Sequence, residues 1–257
     1  MQIPADSTEF DVSSVEQVEP FVRKFGLAIW RGLIPRETTD RIISYAADNY
    51  SDSKAYISVT NGVMSDVVLP DELKRTQLSP TITEVFNSVL KDELVFNDLD
   101  NTLFWTRPNF TPYGWHQDAP AMPTGKGAPQ YCIIAWIPLT ECSITAPGLT
   151  FALENPGKWI LSPHWLGDRK IYEDNAERII KEAGFRTIDL ILKPGDVLFF
   201  DTYSMHRTTV SPHLTATRLA LRLSAYGKSS AVDVDTFNLL REIVPVDNKS
   251  VLAPSRM

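Results

Sequence analysis

Pro194-Gly195-Asp196-Val197-Leu198-Phe199-Phe200-Asp201-Thr202-Tyr203-Ser204-Met205-His206 is the stretch on which the reading of this chain turns. Pro194-Gly195-Asp196 is turn chemistry, with a fixed φ, a residue free to adopt positive φ and a side chain that bonds its own backbone. Val197 to Phe200 is a short apolar run bounded by turn residues, which predicts a strand running into the core. The chain therefore re-enters a buried region just before it delivers His206.

Far upstream stands Tyr113-Gly114-Trp115-His116-Gln117-Asp118. In an extended segment residues two apart point to the same side, so His116 and Asp118 can chelate one ion. Two imidazoles and one carboxylate on one face of a metal form the facial triad of non-haem Fe(II) oxygenases. The short motif is weak by itself, because a His two positions before an Asp is common. The plain alternative is a pair of ordinary surface or hydrogen-bonded histidines.

Downstream of His206, leucines alternate with other residues in Thr217-Arg218-Leu219-Ala220-Leu221-Arg222-Leu223-Ser224. Period two puts Arg218 and Arg222 on one strand face, opposite the leucines. That face is either solvated or lines a cavity in which an arginine grips an anion. Arg forms bidentate pairs with carboxylates, so the second reading suits a dicarboxylate cosubstrate.

Around these motifs the texture changes once. Before about residue 100 it is helical: Ser14 and Gln17 fit a capping box, Val18, Phe21, Val22 and Phe25 recur at helical spacing, and Gly26 ends the helix. Residues 27–31 fit a strand, 36–50 a second helix with Ile42, Ile43 and Ala46 on one face, and 79–91 a third with Pro80 in its first turn. Strands are expected at 102–107, 131–139, 149–153, 187–192, 197–201 and 217–225, broken by Pro and Gly. The fold class is mainly β with helices (α+β): a double-stranded β-helix or jelly-roll, cupin-like core over about 100–226, with N-terminal helices over about 14–91 packed outside. No linker divides residues 1–257, so one domain is expected. Residues 154–185 behave as an insertion, with a helix at 172–183 and Trp159 and Trp165 in its loop, expected to form a lid or wall over the site.

Composition narrows the classes. The 257 residues are 43% hydrophobic and 22% charged, enough for a core without staples. A net charge of −7 argues against a nucleic-acid surface. No charged start leads into a long apolar run, and no apolar stretch is long enough to cross a bilayer, so neither a signal peptide nor a membrane partner is expected. Cys132 and Cys142 give neither a disulfide framework nor zinc spacing. The expectation is a cytoplasmic protein acting on a small molecule.

With these residues in view, the chain resembles the phytanoyl-CoA dioxygenase family of Fe(II)- and 2-oxoglutarate-dependent oxygenases. The resemblance runs through Arg107-Pro108, Trp115 to Asp118, Trp136-Ile137-Pro138-Leu139, Gly148-Leu149, Pro156-Gly157, Gly195 to Phe200, His206 and Arg218-Leu219-Ala220-Leu221, over roughly residues 15–226. It implies that His116, Asp118 and His206 hold iron. It further implies that Arg218, assisted by Thr208, pairs with the far carboxylate of 2-oxoglutarate, and that Arg107 and Trp136 line the cosubstrate pocket. Two departures stand out. Lys158-Trp159 follow Pro156-Gly157 where the family often has Ser-His, and Arg218 lies one residue further from His206 than the pattern has it, which makes Arg222 the alternative anchor.

The implied reaction takes Fe(II), 2-oxoglutarate and O₂ (with ascorbate supportive in vitro) and releases succinate and CO₂ while a metabolite, of specialised metabolism by this reading, is oxidised. Hydroxylation is the default outcome, with desaturation, epoxidation or rearrangement as others, and Asp118 argues against halogenation. Two other readings stay open: a cupin-like metal dioxygenase that does not use 2-oxoglutarate and so has no need of Arg218, and a non-catalytic jelly-roll binding module. His164 and His213 sit in Pro-containing loops and read as loop residues rather than ligands.

Overall fold

A computed structural model of the chain describes residues 7–50, 80–96, 102–106, 114–118, 132–143, 145–153, 169–209 and 213–228. After a short 3₁₀ turn, Ser7–Phe10, come β1 (Asp11–Val12), α1 (Val15–Phe25), β2 (Leu27–Trp30), α2 (Arg36–Tyr50) and α3 (Pro80–Leu90). The β-rich part follows: β3 (Leu94–Phe96), β4 (Thr102–Thr106), β5 (Cys132–Pro138), β6 (Leu149–Ala152), α4 (Arg169–Glu182), β7 (Thr187–Asp189), β8 (Val197–Asp201), β9 (His206–Thr208) and β10 (Arg218–Gly227). This is the expected α+β class.

The strands form two sheets. In the large one β1, β2, β8, β5 and β10 lie side by side, and the far edge of β10 pairs with β4 along its first half and β3 along its second. The small sheet runs β7-β6-β9, and an isolated antiparallel bridge sets His116 beside His206 at its edge.

Period-two alternation decides what each face meets. In β5, Ile133, Ala135 and Ile137 join a core with α1, α2 and α3, built on Val18, Val22, Ile42, Ile82, Val85 and Phe86. Cys132, Ile134 and Trp136 point the other way, into a second core shared with Leu149, Phe151 and Ile188 of the small sheet segment. β10 follows the same rule: Leu219, Leu221, Leu223 and Ala225 face the helices, and Ala220 faces the small sheet. Arg218 and Arg222, of the same parity as Ala220, therefore take the inter-sheet face. Each fully buried Ile or Phe contributes roughly 1.5–3 kcal/mol by leaving water, so the two cores together hold the layers in place.

The ends of elements follow local chemistry. Gly26 closes α1 in the left-handed region, φ 87°, with its N–H donating to the Val22 carbonyl at 2.8 Å. The expected capping box is not formed: Ser14 is the N-cap but makes no side-chain cap bond, and Gln17 Oε1 accepts from the N–H of Ser13, one residue before it, at 2.8 Å. Gly195 adopts φ 90°, and a Cβ there would lie 2.4 Å from the Ile34 carbonyl oxygen. Asp196 next to it accepts from the backbone of Gly32 and Lys193 and from Arg31 Nη1, which ties the turn before β8 to the end of β2.

Several expectations needed adjustment. The strand expected at 187–192 ends at Asp189, and Leu192 instead pairs with Cys142 in an isolated bridge. The strands β1, β3 and β9 were not foreseen, because two or three residues show no period. The helix expected at 172–183 is Arg169–Glu182. Its Ala176, Ile179 and Ile180 pack with Trp115, Ala152 and Met205 on the outer face of the small sheet, so the helix backs the site rather than covering it. Trp159 and Trp165 lie outside the described residues.

Candidate metal centre

The site is built where the small sheet meets the end of β8. After Asp201 the chain turns, and His206 begins β9 facing inward, its ring against Phe151 and Phe200 at centroid distances of 5.3 and 5.0 Å. His116 is held opposite by two backbone bonds: its N–H donates to the His206 carbonyl and the His206 N–H donates to the His116 carbonyl, both at 2.9 Å. Between them Gln117 turns its buried side chain the other way and donates from Nε2 to the Tyr203 carbonyl at 2.5 Å. The upstream motif is thus fastened to the β8–β9 turn at two points.

Both imidazoles have one nitrogen committed. His116 Nδ1–H donates to the Gly114 carbonyl at 2.8 Å and His206 Nδ1–H to the Ser204 carbonyl at 3.0 Å. In the neutral ring this leaves Nε2 as the nitrogen that can bind a metal. His116 Nε2 lies 3.7 Å from Asp118 Oδ1, and His206 Nε2 lies 3.8 Å from Asp118 Oδ2. The three ligand atoms sit within 4.8 Å of one another, close enough for one ion between them to reach all three. Burial, reinforced by the proximity of His116, pushes His206 down to about 4, so it stays neutral across the physiological range. The donor set, two imidazole nitrogens and one carboxylate, fits Fe(II) with positions left open.

Arg218 reaches from β10 toward the start of β6. Its Nη1 donates to the carbonyls of Pro147 and Gly148 at 3.3 and 3.1 Å, and its Nη2 to Thr106 Oγ1 at 2.8 Å. It lies over the Trp136 ring at 5.4 Å, and its buried Nε has no hydrogen-bond partner among the described residues. None of these partners is an anion, and burial pushes the guanidinium below its ordinary range. Among the described residues this buried cation meets only neutral acceptors. Thr208 is buried two residues beyond His206 on the same face of β9, and Trp136 faces the inter-sheet core. Arg107 lies outside the described residues.

Arg222 takes a different place from Arg218. Its Nη2 lies 3.4 Å from Asp118 Oδ2, at the triad itself. Thr106 is the residue sequence reading missed, although its position just before Arg107-Pro108 was a signal. Register makes it a partner, because it pairs with Arg218 across β4 and β10. His213 is exposed and stands apart from the triad.

The phytanoyl-CoA dioxygenase (PhyH) family pattern matches residues 35–213. The chain belongs to this family. It is, by that membership, a non-haem Fe/2-oxoglutarate dioxygenase with a His-x-Asp…His triad. The match takes in His116, Asp118 and His206 and stops short of both arginines. Among solved structures, the dioxygenase is similar to the non-haem α-ketoglutarate-dependent epimerase SnoN from nogalamycin biosynthesis, at 16% identity and a TM-score of 0.62, with 83% of each chain covered. A structure of SnoN in complex with Fe³⁺, α-ketoglutarate and nogalamycin RO matches at 12% identity with the same TM-score of 0.62 and 83% of each chain covered. The carbocyclase SnoK from the same biosynthesis matches at 14% identity and a TM-score of 0.61, covering 84% of this chain and 86% of its own. These likenesses are of fold. No curated protein sequence matches the chain. Among the described residues, no helix is long and apolar enough to cross a membrane.

Proposed function

We propose that this dioxygenase uses Fe(II), 2-oxoglutarate and O₂ to hydroxylate a small metabolite, releasing succinate and CO₂. His116, Asp118 and His206 are the metal ligands in this reading. Arg218, with Thr208, Trp136 and Arg107, holds the cosubstrate. The observation that carries it is the pairing of a three-ligand cluster with a buried arginine whose acceptors among the described residues are all neutral. The whole chain acts as one domain, its helical part packed outside the core.

The bound iron and cosubstrate supply the oxidising chemistry, and the protein supplies orientation and shielding. His116 and His206 present Nε2 because their Nδ1–H groups are committed to the Gly114 and Ser204 carbonyls. Asp118 contributes the one negative charge of the ligand set. Arg218 neutralises the far carboxylate and fixes which end of the cosubstrate meets the metal. Phe151 and Phe200, packed on the His206 ring, keep water from its inner side. A cupin-like enzyme without 2-oxoglutarate, or a binding module, gives no reason to bury Arg218 in this setting.

The test is succinate release from purified protein supplied with Fe(II), 2-oxoglutarate and ascorbate in air, followed by metabolite profiling for products heavier by one oxygen atom. No succinate, or succinate release that persists in His206→Ala, sinks the proposal. A product formed without added oxygen keeps the cofactors and replaces hydroxylation by another oxidative outcome.

A further inference from the structure

We infer that Arg222 is a positioning residue for the metal-binding carboxylate, setting how Asp118 meets the ion. The inference rests on the metal reading proposed above. Asp118 stands two residues past the His116 backbone bridge, so the sheet fixes where its backbone lies but not how its carboxylate is turned. The side chains around it do that. Oδ1 faces His116 Nε2 at 3.7 Å, whereas Oδ2 faces both His206 Nε2 at 3.8 Å and Arg222 Nη2 at 3.4 Å.

Arg222 is well placed for this task. Its backbone sits in the middle of the large sheet, paired with Trp136 on one side and Thr102 on the other, so its Cα has little freedom. The side chains of Arg222 and Asp118 are only 14% and 9% exposed, which weakens solvent screening between them. A guanidinium keeps its charge at every working pH and presents donors in a rigid fork. At 3.4 Å the contact is an ion pair rather than a short hydrogen bond, close enough to bias the carboxylate without competing with the metal for it. A carboxylate held at one oxygen favours binding through one oxygen. A carboxylate free to turn can bind through both and occupy a position that cosubstrate or O₂ requires.

The two arginines of the inter-sheet face are therefore not interchangeable. They lie four residues apart on one strand face, about 13 Å along the sheet at ordinary strand rise. Arg218 is bonded at the Gly148 and Thr106 end, and Arg222 stands at the triad end.

The test is Co(II) titration of the full chain, followed by visible d–d absorption, for wild type, Arg222→Met and Arg222→Lys. Arg222→Met should change Co(II) affinity by about tenfold or more, the range for losing a partner that orients a metal ligand. Its d–d spectrum should change shape, and Arg222→Lys should restore most of both. Should Arg222→Met fail to fold by circular dichroism, Arg222→Gln is measured in its place and judged by the same two readouts. Wild-type affinity and an unchanged spectrum in the neutral variant overturn this inference alone. A wild-type spectrum untouched by His206→Ala overturns the metal reading and this inference with it.

Discussion

His116 and His206 pair through their backbones, each N–H donating to the other's carbonyl at 2.9 Å, with ring centroids 4.3 Å apart. Residues directly opposed in an antiparallel pair project from the same face, so this pair alone brings two imidazoles from segments ninety positions apart onto one side of the small sheet. Asp118, two residues on, shares that side.

His206→Ala should remove one ligand from a cluster that has only three. Loss of Co(II) or Mn(II) affinity of at least about a hundredfold is expected, beyond the range seen when only an orienting partner is lost. Calorimetric titration checks it, and the control is His213→Ala, an exposed histidine outside the cluster, which should bind metal as wild type does.

Arg218→Met should uncouple the cosubstrate from the metal. In the absence of 2-oxoglutarate the wild-type guanidinium is a buried charge that meets only neutral acceptors among the described residues, so replacing it by an apolar side chain of similar length sets relief of desolvation against the acceptors left unpaired and should change stability by no more than about 1–3 kcal/mol. With 2-oxoglutarate the wild type should gain thermal stability by mass action, and the variant should not. Removing the buried partner of a carboxylate costs about 2–5 kcal/mol of binding, a weakening of thirtyfold or more. Metal affinity in the variant should stay as it was; a thermal shift by 2-oxoglutarate equal to the wild type's would reassign the anchor.

Much of this is legible in the sequence. β5, β8 and β10 are long enough for their apolar pattern to show, and the period of two in β10 placed both arginines on the face opposite the leucines. What escaped reading depends on register or on surfaces. Thr106 meets Arg218 only because β4 pairs with β10, and Arg222 meets Asp118 only because two sheets face each other. β9 was not foreseen, although it carries His206, since three residues have no measurable period. The helical pattern within 154–185 predicts a helix but does not say whether it covers the site or backs it.

Asp201 supplies a pH signature. Burial pushes its carboxyl up to about 6, against the lowering effect of its bonds from Ser204 and from the Tyr203 N–H. The Ser204 hydroxyl lies 2.7 Å from the Gly26 carbonyl and 2.9 Å from Asp201 Oδ1, with one hydrogen for two acceptors, and a protonated Asp201 resolves this by donating to Ser204. A carboxyl raised on folding contributes stability that is complete below its unfolded value near 4 and is lost as pH rises through about 6. Asp201→Asn is neutral throughout, so its stability relative to wild type should improve between pH 4 and 7, by up to about 3 kcal/mol. Urea unfolding at several pH values checks it, and a difference that does not vary with pH refutes it.

The last prediction concerns what stands behind the ligands. Trp115 and Met205 each precede a ligand histidine and so point to the opposite face, where they pack with Ala176, Ile179 and Ile180 of α4. Trp115 is also covered by the Arg207 guanidinium, 4.7 Å from its ring centre. A helix in that position fixes the depth of the small sheet and hence of His116 and His206. Met205→Ala and Ile180→Ala should each destabilise the protein by about 2–5 kcal/mol, the cost of deleting buried apolar volume. Because the two residues belong to one cluster, the double variant should lose less than the sum of the single losses. Metal affinity should fall in each variant as the sheet behind the ligands loosens. A lid behaves otherwise: its residues alter turnover and product release while stability and metal affinity stay level. Unchanged unfolding midpoints in both single variants would therefore return α4 to the opening of the site and remove it from the back.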